Sequence, residues 1–430
     1  MHAYITRRIK KSEKYYRVPF FNKSGIFLFV LKAMAENSEN KREITPARRV
    51  SNVSEYYFSK KLKEVADMNA RGLDVISLGI GSPDRPPHPR VIAALSQEAE
   101  KENAHGYQPY VGIPQLRKAF AEWYGKWFGV TLDPDREIQP LIGSKEGILH
   151  ITLAFVNPGD GVLVPNPGYP TYTSVSRLAE ADIITYNLKE KNSWLPDFDE
   201  IEKNDLTNVK LMWVNYPNMP TGKVASRQLF EELVAFGRRH NIVIVNDNPY
   251  SFILNDNPLS LLSVPGAKDI CIELNSMSKS HNMPGWRVGM LASNPEFVNW
   301  VLRVKSNIDS GTFRPMQIAA AEALHADKAW YEEINAVYRP RRELAEEIAR
   351  TLDCTFDPAQ RGMFLWVKVP DSFKNGAELA DRLLYEARVF ATPGIVFGSE
   401  GDKFIRISLC ATEEKLRQAL DRIKQTINKQ

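Results

Sequence analysis

The 430-residue chain predicts a mainly parallel α/β sheet flanked by helices, followed by a smaller α+β domain. Three observations carry this. Short runs rich in β-branched or large apolar residues recur from 162 to 274, helical segments separate several of them, and the strand signal thins after residue 326. Parallel neighbours need crossover connections, so strand and helix in alternation point to a parallel sheet. The runs 162–165 (VLVP), 183–188, 210–216 (KLMWVNY), 242–246 (IVIVN) and 271–274 (CIEL) are apolar enough for strands buried on both faces. Between two of them, 226–240 has apolar residues at helical spacing behind Ser226, an N-cap candidate. The charged segment 331–352 predicts a helix that Pro340 kinks. Beyond it, 366–369 (WVKV) and 403–409 (KFIRISL) read as strands, and 378–388 and 413–428 as amphipathic helices.

This pattern divides the chain into an N-terminal extension, 1–43, expected to be non-structural, and a segment, 44–88, that packs with the small domain. A large domain, 89–326, and a small C-terminal domain, 327–430, complete it. Such a length exceeds what one core usually supports. The composition is that of an ordinary globular protein, with 43% hydrophobic and 25% charged residues, so collagen-like, disordered and coiled-coil classes are excluded. No internal repeat is present, which excludes solenoids and propellers.

The net charge of +4 hides an asymmetry: residues 1–33 carry eight Lys/Arg against the single Glu13. The remainder is slightly acidic, so the folded body lacks the basic footprint of a nucleic-acid binder. The apolar run 26–31 is too short to span a bilayer and a poor secretory core. Residues 1–33 are therefore expected to lie upstream of the functional start. Cys271, Cys354 and Cys410 are odd in number and form no C-x-x-C pair, which argues against a disulfide scaffold or a zinc site. No metal is expected, and a reducing cytoplasm fits best.

Polar residues that follow strands deserve weight, because open α/β sheets bind ligands beyond the carboxyl ends of their strands. Asp247 ends the run IVIVN, where an ionised carboxylate needs a cationic or donor partner, although a turn or N-cap aspartate would look the same. One strand later stands Lys279, for which a surface position is the ordinary alternative. The surrounding stretch, 276–289, reads SMSKSHNMPGWRVG. It resembles the cofactor-lysine signature of the class I/II aminotransferases, which are fold type I pyridoxal-phosphate enzymes. Further segments matching that family follow its order: LGIGSPD (78–84), YQPYVGIPQLR (107–117), GSKEG (143–147), PNPGYPTY (165–172), NYPNMPTG (215–222), DNPY (247–250) and RISL (406–409). The resemblance covers about 45–428, and KSNIDSGTFRPMQ (305–317) is most similar to the alanine and LL-diaminopimelate aminotransferase branch.

The resemblance implies pyridoxal 5′-phosphate as cofactor, with Lys279 as the catalytic residue that holds its aldehyde carbon and moves the substrate α-proton. It implies Asp247 on the pyridinium nitrogen, Tyr250 on the ring oxygen and Tyr169 on the ring face. Ser276, Arg287, Ser144 and Lys145 would hold the phosphate, the last two at a helix N-terminus suited to an anion. Arg406 would bind the substrate α-carboxylate, which a planar guanidinium fork fits, and Gly81 would leave room beside it. Tyr107 would reach the phosphate of the neighbouring subunit, which makes the protein a homodimer with shared sites. The implied reaction moves an amino group between an L-amino acid and a 2-oxo acid in a ping-pong cycle, of the alanine/glutamate type. LL-diaminopimelate is the alternative donor, a carbon–sulfur lyase the alternative activity on the same fold. A non-catalytic sensor fused to a DNA-binding domain is disfavoured, because no helix-turn-helix is apparent in the first 50 residues. Neither nucleic acid nor membrane is expected as a partner. One position departs from the family: Met219 stands where an asparagine usually precedes Pro-Thr-Gly, with Asn218 one residue earlier. Methionine cannot donate a hydrogen bond, so the family role is not transferred to it.

Overall fold

The computed structural model describes residues 44–53 and 57–427. The extension 1–43 and its apolar run lie outside the described residues. Residues 44–51 hold a short exposed helix, Arg48–Ser51, and the chain from residue 52 onward forms a separate compact unit.

Among the described residues twelve strands follow in chain order: β1 (Ile76–Ser77), β2 (Ile138–Leu141), β3 (Gly161–Asn166), β4 (Asp182–Asn187), β5 (Val209–Val214), β6 (Val243–Asp247), β7 (Cys271–Ser276), β8 (Gly289–Ala292), β9 (Phe364–Lys368), β10 (Val389–Phe390), β11 (Thr392–Pro393) and β12 (Phe404–Ser408). The main sheet has seven strands in the order β2-β8-β7-β6-β5-β3-β4. Its core, β7-β6-β5-β3-β4, is parallel, and β8 runs antiparallel to both neighbours. The five strands of that core are the five apolar runs of the sequence. β2 and β8 escaped notice for local reasons: β2 (IQPL) contains a proline, tolerated because it lies on the sheet edge, and β8 (GMLA) has only four residues, the first a glycine.

Helices cover both faces. Ser226 caps Arg227–His240 by accepting from Leu229 N at 3.1 Å, and Asn241, at φ 56°, ends it in the left-handed region. Lys328–Thr351 runs as one helix with Pro340 inside it. Two buried arginines next to that proline tie the helix down. Arg341 makes a bidentate pair with Asp84, both bonds 2.8 Å, and Arg342 donates to Glu346 at 2.8 Å and to Gln360 O at 3.2 Å. These charge-assisted bonds offset the hydrogen bond that proline removes.

A second sheet, β11-β12-β9, is antiparallel, and β1 pairs in parallel with β10 through Ile76 opposite Val389. The segment after residue 57 thus packs on the C-terminal part of the chain, where Val65, Met68 and Val75 bury against Leu384 and Phe390. The helix expected at 378–388 starts earlier, at Gly376, because Asn375 caps it by accepting from Glu378 N at 3.1 Å. Among the described residues no helix is long and apolar enough to cross a membrane.

Candidate active site

A cavity of about 390 Å³ opens at the carboxyl ends of β5, β6 and β7, between the main sheet and β9 and β12. This is where the chain reverses from strand into helix, so backbone donors and side chains turn inward together. Lys279, Asp247, Tyr250, Tyr169, Ser276, Arg287, Ser144, Lys145, Gly81 and Arg406 all line it. Residues 325 positions apart in the chain are thereby brought to one wall. Tyr107 does not join them: it is 92% exposed and borders a separate cavity of about 340 Å³ with Thr312 and Phe313.

Asp247 is the last residue of β6 and is buried. Its Oδ2 accepts from Tyr172 Oη at 3.0 Å, whereas Oδ1 is buried with no hydrogen-bond partner. Burial pushes its pKa up to about 7, against a smaller downward pull from Tyr172 and Lys279. A buried acceptor left open in this way calls for a donor from whatever fills the cavity, ideally a cationic N–H. A pyridinium nitrogen meets that requirement.

Lys279 lies in the short helix Met277–Ser280 directly after β7. Its Nζ donates to Gly81 O at 2.5 Å. Burial lowers its pKa, and the positive charges of Arg406 and Arg287 act in the same direction. The amine is thus less basic than a surface lysine, as a nucleophile or proton carrier near neutrality requires.

At one end of the cavity the chain gathers anion-binding groups. Helix Ser144–Phe155 begins there after Gly143, whose φ of 78° and ψ of 159° belong to a region reserved for glycine. A Cβ on Gly143 would sit 2.3 Å from Arg287 Nη2, so the missing side chain makes room for the guanidinium. Ser276 Oγ caps the next helix by accepting from Ser278 N at 3.2 Å. Helix N-termini, hydroxyls and two cationic side chains around one end make a cradle for a phosphate. The cavity therefore fits pyridoxal 5′-phosphate at both ends.

Arg406, on β12, is buried at the opposite wall. Nη2 donates to Gly79 O at 2.8 Å and Nη1 to Met219 Sδ at 3.2 Å. The guanidinium carbon lies 3.9 Å from the centre of the Phe364 ring and 4.6 Å from that of Phe397. Two aromatic faces fix its plane, and a thioether is a weak acceptor that a carboxylate outcompetes. A Cβ on Gly81 would strike Phe364 Cζ at 2.2 Å, so the glycine also admits the ring that backs Arg406.

Several lining residues escaped the sequence reading. Tyr172 stands at the end of PNPGYPTY, and its ring stacks on Trp213 at 5.0 Å and 6°. It lies in the first turn of helix Pro170–Leu178, and no local signal announces its bond to Asp247, 75 residues on. Asn215, the first residue after β5, donates through Nδ2 to Asp247 O and accepts at Oδ1 from Met219 N at 2.7 Å. Ser278 also lines the cavity. Met219 does so as well, whereas Asn218 turns away, its Oδ1 accepting from Thr221 Oγ1 at 2.8 Å.

Comparisons with known proteins bear on this arrangement. Residues 73–423 match the family Aminotransferase class I and II. An LL-diaminopimelate aminotransferase of Dehalococcoides mccartyi is 40% identical over 379 residues, 88% of this chain and 97% of that protein. One from Aquifex aeolicus is 41% identical over 371 residues, 86% and 96% of the two chains. Among solved structures, substrate-bound BacF from Bacillus subtilis superposes with a TM-score of 0.84 at 35% identity, covering 89% of this chain and 98% of its own. A Thermus thermophilus aspartate aminotransferase mutant gives 0.83 at 26% identity, with 89% and 100% covered.

Proposed function

The chain belongs to the class I and II aminotransferases, and on that premise we propose that it uses pyridoxal 5′-phosphate to take the amino group from LL-diaminopimelate and deliver it to a 2-oxo acid. The observation that carries the cofactor is the open Oδ1 of buried Asp247 at one end of a cavity whose other end is a cradle of Ser144, Lys145, Ser276 and Arg287. Bound there, the cofactor supplies the electron sink that makes the α-proton of an amino acid acidic.

The protein's own groups do the rest. Asp247 holds a proton on the ring nitrogen, and its burial makes that interaction strong. Lys279 Nζ, made less basic by burial, would hold the cofactor's aldehyde carbon and, once the substrate amine has displaced it, would be free to move the α-proton. Tyr250 donates to the ring oxygen, and its own hydroxyl stays protonated because burial raises its pKa. Tyr169 covers the ring. Arg406 exchanges the Met219 sulfur for the α-carboxylate, with Phe364 and Phe397 setting the plane in which the carboxylate is gripped.

The donor assignment rests on the relatives, which are named LL-diaminopimelate aminotransferases, and it is preferred on that ground to the alanine/glutamate pair. A second copy would complete the site: Tyr107 is exposed and does not line the cavity of its own chain, which suits it to the phosphate end of a partner's site. Three buried free cysteines support a cytoplasmic setting. The test is a donor panel with 2-oxoglutarate, run on the parent and on Arg406→Lys. LL-diaminopimelate should give the highest kcat/KM, and the lysine variant should lose roughly 10- to 100-fold on every α-carboxylate donor and acceptor, the cost of one charge-assisted contact. Preference for alanine would replace the donor, and a loss confined to one substrate would move Arg406 to the distal group.

A further inference from the structure

Beneath the anion end of the cavity lies a partly buried cluster that takes no part in the chemistry above. Glu146, in the first turn of helix Ser144–Phe155, reaches back so that Oε2 accepts from Ile142 N at 2.5 Å. This holds the turn that precedes the helix, one residue before the N-cap Gly143. Its Oε1 lies 2.8 Å from Nε2 of His150, one turn on and fully buried. Asp309 closes the group from a distant segment, and the donor atoms of Glu146, His150 and Asp309 all lie within 4.8 Å of one another. Lys305, 2% exposed, places Nζ 2.5 Å from Asp309 Oδ2. Asp309 Oδ1 accepts from Gly311 N at 2.9 Å, and Gly311 packs against Gln108 O, beside Tyr107.

Two carboxylates this close repel unless a cation compensates them, and the Lys305 ammonium lies against one of them, Asp309. The cluster therefore locks together two pieces of chain. One is the turn from Ile142 to Lys145, which supplies Ser144 and Lys145 to the cavity. The other is the segment 305–311, which ends under the loop carrying Tyr107.

We propose that Glu146, His150, Lys305 and Asp309 are positioning residues for the phosphate of the cofactor, holding the Gly143–Lys145 turn in its anion-binding conformation against the 305–311 segment. This rests on the function proposed above, which puts the phosphate at that turn. It predicts an effect on the phosphate alone, because neither Asp247 nor Lys279 touches the cluster.

The experiment titrates cofactor-free, full-length protein with pyridoxal 5′-phosphate and, separately, with pyridoxal, which lacks the phosphate. Asp309→Asn keeps the size of the side chain and removes the charge facing Lys305; Glu146→Gln is the second variant should the first fail to fold. In either variant, affinity for the phosphorylated form should fall on the order of tenfold, as for other partners that orient a ligand-holding group, with pyridoxal affinity unchanged within about twofold. Equal losses for both compounds, or no loss, would overturn the proposal while leaving the cofactor assignment standing. Parent protein that binds pyridoxal as tightly as its phosphate would overturn the phosphate site itself, and this inference with it.

Discussion

Asp247 decides the electrostatics of the cavity, and its burial has a measurable signature before any cofactor binds. Between its ordinary value of 3.8 and about 7, the unfolded chain has released this proton and the folded chain retains it. The native state then binds more protons, so stability falls as pH rises through that window, by at most about 1.4 kcal/mol per unit. Asp247→Asn has no proton to release. Cofactor-free variant and parent, unfolded thermally from pH 4 to pH 8, should diverge across the window, and parallel curves would mean that the carboxylate is ionised throughout. Met219 offers a second residue-scale test. Asn218 does not replace the missing family asparagine, since it does not line the cavity and its side chain turns to Thr221. An added donor to the ring oxygen stabilises its negative charge and weakens its hold on the proton it shares with the Lys279 nitrogen. Met219→Asn should therefore lower the pH midpoint of the cofactor's absorbance change by about one unit. A spectrophotometric titration of both loaded proteins checks this, and a raised midpoint would contradict it.

Among the elements, the junction of β2 with helix Ser144–Phe155 is the most constrained. Gly143 adopts backbone angles that other residues avoid, and its bare Cα accommodates Arg287. Gly143→Ala should cost about 1–3 kcal/mol of stability from backbone strain. Because the guanidinium at the end of a flexible side chain must also move aside, pyridoxal phosphate binding should weaken by more than global stability explains. Urea denaturation alongside cofactor titration separates the two, and an alanine variant as stable as its parent would refute the strain. The strands were legible where they were long and apolar, as in β3 to β7. β2 and β8 were not, because a proline, a glycine and four-residue lengths erase the pattern. Their pairing is decided by register with neighbours, Leu141 opposite Gly289 and Ser276 opposite Gly289, and register is not a local property.

For the molecule as a whole, the position of Tyr107 makes the strongest demand. Tyr107 is 92% exposed, and Phe313, which borders the same cavity, is exposed as well; the proposed second copy would cover them. If it does, Lys279→Ala chains mixed with Tyr107→Ala chains should form hybrids with one site that carries neither defect. Activity should recover partially, measured after both inactive homodimers are dissociated and recombined. Hybrids that form and stay inactive would confine Tyr107 to its own subunit.

The sequence by itself determined the parallel α/β class, because buried strands alternating with amphipathic helices leave few other ways to hide their apolar faces. It also determined which residue types could do the chemistry, since Ser-x-Ser-Lys and Asp-Asn-Pro-Tyr sit at the ends of those strands and Arg-Ile-Ser-Leu in a strand of the second sheet. What only the tertiary structure decided is what each of those groups meets. Arg406 is held between two rings from elsewhere in the chain, Asp247 takes a bond from Tyr172, and Gly81 yields its space to Phe364. Spacing along a chain sets the order of residues and not their distance through space; that distance follows from the packing of β9 and β12 against the ends of β5, β6 and β7.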